Sequence, residues 1–282
     1  MNRFLRKFAK YLFIVFFLAI ISFVAIFKYY QKHPFKYKYE TVFLGDSRME
    51  YLYKNNNNLG CNSEGLKFTY YKILALNKNK KLKTIYLGLS HHSFSGYFNE
   101  YITNEMDVIP RYFVITPKPM QMLNEYHFLN LHFLFKKQFK RAWDAVTSKR
   151  NFIEGHFSHP FKSQVSIKKS AKRIKQQFYQ KNGTLQPFSA EQIQYLNVIK
   201  YYCRDNNIRL IVVNTPVYES YFGNIPQNYK QVYDQNTRDC EVLDMSHFLT
   251  KNTDFLPDGD HISYTAYKKC TSFLDSIVKL NK

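Results

Sequence analysis

Three residues near opposite ends of the chain have the types and spacing of a serine-nucleophile site. Ser47 follows the apolar, β-prone segment Thr41–Leu44 through a Gly-Asp turn, a pattern that predicts a buried strand leading to an exposed hydroxyl. A serine hydroxyl is a poor nucleophile alone, because it needs a base within hydrogen-bond reach. Asp258 and His261, three residues apart in a turn far along the chain, can supply that base and the carboxylate that orients it.

Both stretches resemble the SGNH/GDSL hydrolase superfamily. The Gly-Asp-Ser run that ends at Ser47 resembles its nucleophile block, which follows the first strand. The Asp-Gly-x-His-x-Ser run that begins at Asp258 resembles its last block, which precedes the final helix. The resemblance implies Ser47 as nucleophile, His261 as base and Asp258 as the orienting carboxylate. Asp260 is an alternative orienting group, but it is badly placed one residue before the histidine.

The resemblance also implies an oxyanion hole, for which this chain departs from the family pattern. The second block of the family is usually a glycine that donates its backbone N–H; by spacing the donor here is Ser63, with Gly60 or Gly65 as alternatives. The third block is Gly-x-Asn-Asp, whereas this chain has Gly-Leu-Ser-His at the same place. We expect the Ser90 hydroxyl or a His91 N–H to replace the missing asparagine. Loss of one oxyanion donor typically costs about 2.7–4 kcal/mol.

Other polar residues near these blocks have less specific interpretations. Arg48, directly after the predicted nucleophile, is expected to bind an acidic group of the substrate, or to be a surface base or a core ion pair. His91 and His92 make a poor metal site, because adjacent residues on a strand face opposite ways. The four cysteines show neither a Cys-x-x-Cys pair nor zinc spacing. The sequence therefore predicts neither a metal nor a cofactor.

The elements that must position these residues alternate between strand and helix. This alternation predicts a parallel sheet with the site at the carboxyl ends of its strands. A short strand is also expected at Leu59–Cys61. The resemblance implies a three-layer α/β/α sandwich of the SGNH type. The expected strands are Thr41–Leu44, Thr84–Ser90, Arg209–Asn214 and Glu241–Met245, and the expected helices are 63–77, 189–206, 226–238 and one after Ser263.

The N-terminus has the pattern of a membrane anchor. Residues Tyr11–Phe27 carry no charge and follow a basic start, and no convincing cleavage site comes after them. We therefore expect residues 1–30 to be a short tail and an uncleaved transmembrane helix, 31–40 a tether, and 41–282 the catalytic domain. A short tail before a large domain, together with the family resemblance, favours a single-pass protein with its domain on the extracytoplasmic side.

Residues 94–187 break the alternation and predict a largely helical insertion. Aromatic and basic residues interleave over Tyr126–Trp143, which predicts one amphipathic helix, and residues 168–175 add a second basic stretch. The apolar residues either pack on the sheet beside solvated lysines or contact acidic lipid headgroups or an anionic polymer. The formal charge of +20 favours anionic partners, although a coding bias toward Lys, Asn, Tyr, Phe and Ile explains it equally well.

These expectations together favour acyl-ester chemistry at the cell envelope through an acyl-Ser47 intermediate. The acceptor is either water, which makes an esterase, or a sugar hydroxyl, which makes an O-acyltransferase. The expected partners are an acylated or acyl-accepting glycan, membrane lipid through the anchor, and a membrane protein. Nucleic acid is disfavoured, because no recognition motif is present. The alternative is a catalytically degenerate SGNH domain that binds glycan or scaffolds an export machine.

Overall fold

The computed structural model describes residues 2–35, 38–99, 108–125, 127, 130–147 and 164–280. Its strands are β1 (Thr41–Leu44), β2 (Thr84–Gly88), β3 (Arg209–Asn214) and β4 (Glu241–Asp244). The helices of these residues are α1 (Asn2–Lys32), α2 (Ser47–Leu52), α3 (Leu66–Leu76), α4 (Val108–Tyr112), α5 (Pro119–Glu125), α6 (Leu131–Thr147), α7 (Ile167–Phe178), α8 (Ala190–Asp205), α9 (Glu219–Gly223), α10 (Gln227–Thr237) and α11 (Tyr264–Leu280).

The chain divides into two compact units. A helical unit comprises Met1–Tyr37 and Ile109–Ile153, and a sheet unit comprises Lys38–Val108 and Glu154–Lys282. The predicted insertion over residues 94–187 therefore contributes α6 to the helical unit and α7 to the sheet unit. The amphipathic helix begins at Leu131 rather than at Tyr126, because Asn130 caps it by accepting a 2.9 Å hydrogen bond from Phe133 N. Residues 126, 128 and 129 lie outside the described residues.

The uncharged segment Tyr11–Phe27 is helical, as the middle of α1. None of the helices formed by the described residues combines the length and apolarity that a membrane crossing requires. The membrane-spanning role of this segment stays a prediction.

The four strands form one parallel sheet in the order β1-β2-β3-β4. Its register pairs Phe43 with Tyr86 and Tyr86 with Ile211. The predicted α/β class with a parallel sheet is confirmed, and β1 and β3 have the predicted ends. Because the four strands are parallel, their carboxyl ends share one edge of the sheet, and Ser47 follows β1 at that edge.

Apolar residues on both faces of β1, β2 and β3 are buried, which explains the continuous apolar runs in the sequence. On one face, Phe43, Tyr86, Ile211 and Val213 pack in a single cluster with one stripe of α11, made of Ala266, Tyr267, Cys270 and Leu274. The alternate residues Val42, Ile85, Leu87 and Val212 are equally buried. Helix α8 contacts β3 and also packs against α3.

A short extended segment runs beside β1 at the edge of the sheet. Asn58 forms a parallel bridge with Phe43, and Leu59 N and Cys61 N donate 2.9 Å hydrogen bonds to Phe43 O and Gly45 O. The segment makes only this isolated bridge, so the short strand expected at Leu59–Cys61 is not formed as a strand of the sheet. A fully buried ion pair between Lys72 and Glu64 supports the segment, because the Lys72 ammonium also donates to Leu59 O.

Candidate active site

The Ser47 side chain is positioned by a tight passage from β1 into α2. Ser47 is the first residue of α2, and Asp46 caps the helix by accepting a 2.9 Å hydrogen bond from Arg48 N. Gly45 has a φ of +141°, and a Cβ there would lie 2.9 Å from Gly88 O. A side chain at position 45 would therefore collide with the end of β2, so the approach of the two strand ends requires glycine.

The His261 side chain is positioned by a closed loop before α11. Leu256 N donates a 2.7 Å hydrogen bond to His261 O, and Gly259 turns the chain with a φ of +70°. Within this loop the Asp258 carboxylate contacts His261 through both oxygens. Oδ1 accepts a hydrogen bond from His261 N at 3.1 Å, and Oδ2 lies 2.8 Å from His261 Nδ1. The spacing of three residues thus lets one carboxylate fix both the backbone and the ring of the histidine.

The structure brings these two parts of the chain into direct contact. Ser47 Oγ lies 2.8 Å from His261 Nε2, across 214 residues of sequence. With Nδ1–H donated to Asp258, Nε2 carries a lone pair and accepts the serine proton. Ser47, His261 and Asp258 therefore have the connectivity of a nucleophile, a general base and a group that orients the base.

The Asp258 carboxylate is held in its charged form. Burial alone would raise its pKa, but the hydrogen bond and charge interaction with His261 outweigh burial and hold the pKa below the ordinary value. An ionised Asp258 stabilises the imidazolium that forms when His261 takes a proton. The ring of Tyr51 packs against the imidazole at 4.8 Å between centroids, on the cleft side.

A cleft of about 280 Å³ opens at this site within the sheet unit. Its walls include the three residues above and several polar and aromatic side chains from different elements. The full lining is Asp46, Ser47, Glu50, Tyr51, Asn62, Ser63, His92, Tyr97, Phe98, Arg173, Leu256, Asp258 and His261.

Ser63, the predicted oxyanion donor, lines this cleft, whereas its alternatives Gly60 and Gly65 do not. Ser63 has a φ of +63°, in the left-handed region that favours glycine. Its hydroxyl is buried without a hydrogen-bond partner, and no acceptor in the described part of the chain engages its N–H. A backbone donor needs no particular side chain, so this N–H can serve an oxyanion. Gly60 packs closely on α2, since a Cβ there would lie 2.7 Å from Glu50 N.

Ser90 and His91 were expected to replace the missing asparagine, but neither lines the cleft. Strand β2 ends at Gly88, and Ser90 caps a 3-10 turn over His91–Phe94 while its hydroxyl lies 3.0 Å from Thr215 Oγ1. His91 packs against the rings of Phe222 and Tyr233. Burial lowers the pKa of His91 to about 3, so its ring is neutral at neutral pH.

The same 3-10 turn directs His92, for which the sequence predicts no role, into the cleft wall. His92 Nε2 lies 3.0 Å from Asp46 Oδ2, and its ring is buried. Burial, followed by the charge of Arg48, lowers the pKa of His92 despite its contact with Asp46. A neutral His92 donates Nε2–H to Asp46 and so braces the turn that carries Ser47. The only sequence feature that could have indicated this role is the pair of adjacent histidines, His91 and His92, shortly after β2.

Arg48 lies behind the cleft rather than in it. Its guanidinium forms a buried ion pair with Asp260 and donates to Tyr221 Oη at 2.8 Å. Of the roles expected for Arg48, the structure shows the core ion pair. The guanidinium is not placed to contact a substrate group in the cleft. Asp260 is also engaged by Arg173 Nε at 2.7 Å, which leaves Asp258 as the carboxylate on the His261 ring.

Two arginines set the electrostatics of Asp260. Burial alone would raise its pKa, but Arg48 and Arg173 hold that pKa well below the ordinary value. Arg173 is also part of the cleft lining. In the sequence it is one of several bases in a helical stretch, and only the fold separates it from the solvated lysines beside it. Among the residues that the structure describes, no three His, Cys, Asp or Glu side chains are grouped so as to hold a metal ion.

No protein-family model matches the chain, and no curated protein is significantly similar to it in sequence.

The two aspartates of the His261 loop should respond differently to loss of charge. Asp260→Asn leaves Arg48 buried without its carboxylate, and breaking a buried pair in this way costs about 3–5 kcal/mol of unfolding free energy. Asp258→Asn, on a part-exposed side chain, should cost clearly less. Urea unfolding of the full chain, followed by circular dichroism, measures both, with exposed Asp234→Asn as control. Equal losses for Asp258→Asn and Asp260→Asn would show that the Arg48 pair does not hold the loop.

Proposed function

We propose that the chain is a serine-dependent enzyme of acyl-ester chemistry that works through an acyl-Ser47 intermediate. The observation that carries the proposal is the continuous contact from Ser47 Oγ to His261 Nε2 and from His261 Nδ1 to Asp258 Oδ2, each at 2.8 Å, on the wall of a cleft. A serine with a purely structural role needs no histidine that is oriented by a carboxylate. Here all three side chains line the cleft, where a substrate can reach them.

The first half of the reaction transfers the acyl group to Ser47. Ser47 Oγ attacks the carbonyl carbon of the ester while His261 Nε2 takes its proton, and the charged Asp258 stabilises the resulting imidazolium. The tetrahedral intermediate collapses when the bond between the carbonyl carbon and the alcohol oxygen breaks. His261 returns the proton to that oxygen, the alcohol leaves, and the acyl group stays on Ser47.

The second half transfers the acyl group to an acceptor hydroxyl. His261 takes the proton of water or of a sugar hydroxyl, whose oxygen attacks the acyl carbon. The bond between the acyl carbon and Ser47 Oγ then breaks, and His261 returns the proton to Ser47 Oγ. Water gives a free acid and makes the protein an esterase. A sugar hydroxyl gives a new ester and makes it an O-acyltransferase.

The negative oxygen of both intermediates needs hydrogen-bond donors. The backbone N–H groups of Ser47 and Ser63 are suited to this role: one begins α2, the other is unengaged, and both residues line the cleft. Ser90 and His91 do not line the cleft, so neither replaces the asparagine side chain that donates to the oxyanion in the family. One missing donor slows each step by about 10²- to 10³-fold. We therefore propose a slow hydrolase or a transferase whose acceptor is well positioned.

The arrangement supports the resemblance to the SGNH/GDSL superfamily. The nucleophile follows the first strand, the Asp-x-x-His block precedes the last helix, and both meet at the carboxyl edge of a parallel sheet. We propose a three-layer α/β/α sandwich of that type, held at the extracytoplasmic face of a membrane by residues 1–30. Its substrate in this proposal is an acylated or acyl-accepting envelope glycan. A cleft of about 280 Å³ accommodates a short acyl chain and part of one sugar ring.

A second candidate is a catalytically degenerate domain that binds glycan or scaffolds a membrane partner. The position of Ser90 and His91 away from the cleft favours this second candidate, because neither residue then replaces the missing asparagine as an oxyanion donor. The intact contact between Ser47 and His261 argues against it.

Substitution of the triad tests the proposed enzyme. Ser47→Ala and His261→Ala should each lower ester turnover by about 10⁴-fold or more, and the double variant should be no worse, because these residues act as one unit. Hydrolysis of a chromogenic acetyl ester measures the effect, with exposed Ser276→Ala as the matched control. Undiminished turnover in Ser47→Ala would remove the nucleophile from the proposal.

Acceptor dependence distinguishes transfer from hydrolysis. Because orientation of an acceptor offsets a weak oxyanion hole, adding a deacylated envelope glycan should accelerate release of the alcohol from the small ester and yield acylated glycan. Mass spectrometry of the glycan and the rate of alcohol release measure both. If the glycan neither changes the rate nor gains acyl groups while the ester is cleaved quickly, the protein is an esterase.

A further inference from the structure

Helix α6 of the helical unit carries a stripe of large apolar side chains that are exposed. Its members are exposed by 51%, 43%, 60% and 63% in chain order. Residues four apart on a helix lie on the same face, so the four side chains form one continuous ridge. This ridge, called the α6 stripe below, consists of Leu131, Phe135, Phe139 and Trp143.

The stripe is not the face by which α6 packs. Leu134 and Gln138 are each 2% exposed, and the Gln138 amide donates to Pro110 O within the same unit. Helix α6 also packs against α1. The helix is therefore already docked by a different face.

Basic residues adjoin the stripe. Lys136 and Lys140 are exposed and follow Phe135 and Phe139 directly in sequence, so they lie along one flank of the ridge. An exposed ridge of Leu, Phe and Trp beside lysines is the composition of a helix that lies in a membrane interface.

A second apolar surface lies in the same unit. On α1, Phe8, Phe17 and Leu18 are more than half exposed. Exposed apolar surface of this extent is rare on monomeric proteins in water and marks an interaction site. The positive charge beside the α6 stripe selects a negatively charged partner, and anionic lipid headgroups attract basic residues by about 1 kcal/mol each.

We propose that α6 lies in the interface of a membrane that contains anionic lipid. The α6 stripe enters the boundary between headgroups and acyl chains, and Lys136 and Lys140 contact the headgroups. This placement is separate from any membrane span of α1, since it concerns another helix and a surface contact. It also does not depend on the chemistry proposed for Ser47.

The single tryptophan of the chain makes the test direct, because Trp143 is the last member of the stripe. The full-length chain is incorporated into vesicles of phosphatidylcholine with or without phosphatidylglycerol, containing lipids brominated near the headgroup or deep in the acyl chain. We expect Trp143 fluorescence to shift to shorter wavelength and to be quenched most by bromine near the headgroup. The quenching should be stronger when phosphatidylglycerol is present and weaker at high salt.

Two pairs of variants test the roles of charge and apolar surface. Lys136→Glu with Lys140→Glu should weaken docking of α6 on phosphatidylglycerol vesicles about tenfold or more, as read from the Trp143 quenching. Phe135→Ser with Phe139→Ser should also reduce the quenching. The matched controls lie in the sheet unit and should leave the quenching unchanged: Lys78→Glu with Lys81→Glu, and Phe188→Ser with Phe248→Ser. Circular dichroism verifies that each variant is folded.

Three outcomes would overturn the proposal. Vesicle-bound protein whose Trp143 is not quenched would be held by α1 alone. A shift of Trp143 fluorescence that follows protein concentration without lipid would make the stripe a contact between copies. Protection of Trp143 by a soluble acidic glycan, with no quenching in vesicles, would make the partner a polymer.

Discussion

The buried ion pair between Arg48 and Asp260 is the interaction on which the rest of the site depends. Arg48 adjoins Ser47 and Asp260 adjoins His261, so this one pair joins the nucleophile to the base across the length of the chain. Two ions are costly to bury, and a pair of this kind is stabilising only when its remaining hydrogen bonds are satisfied. Arg173, Gln177 and Tyr221 supply partners from two further helices, and among the described residues only Arg48 Nε of the guanidinium is buried without a hydrogen bond.

Arg48 of this ion pair also acts on the wall of the cleft. Burial, followed by the charge of Arg48, lowers the pKa of His92, which keeps that ring neutral and its N–H available to Asp46. A second buried pair, Lys72 with Glu64, holds the segment that leads to Ser63, because the Lys72 ammonium also donates to Leu59 O. Each of the two buried charge pairs therefore adjoins a segment that carries a proposed catalytic group.

The sequence predicted those parts of the structure that depend on local pattern. The strand β1 and the turn at Ser47 follow from an apolar run and a Gly-Asp-Ser motif, and the spacing of Asp258 and His261 predicts their contact. It did not predict where Ser90 and His91 point, because a 3-10 turn after β2 replaces the alternation of a strand. It did not predict that Arg48 and Arg173 pair with Asp260, because the partner of a charged side chain depends on which distant segments pack against it. It also left open which face of α6 packs, because a helix with apolar residues on two faces gives no preference.

The central claim is that Ser47 is an activated nucleophile, and covalent labelling tests it most directly. A fluorophosphonate reacts with a serine only when a base removes its proton and donors stabilise the developing oxyanion. The account predicts one adduct per chain, found by mass spectrometry on the peptide that contains Ser47 and absent from His261→Ala. A folded wild-type chain that acquires no adduct, or one that is labelled at another residue, would contradict it.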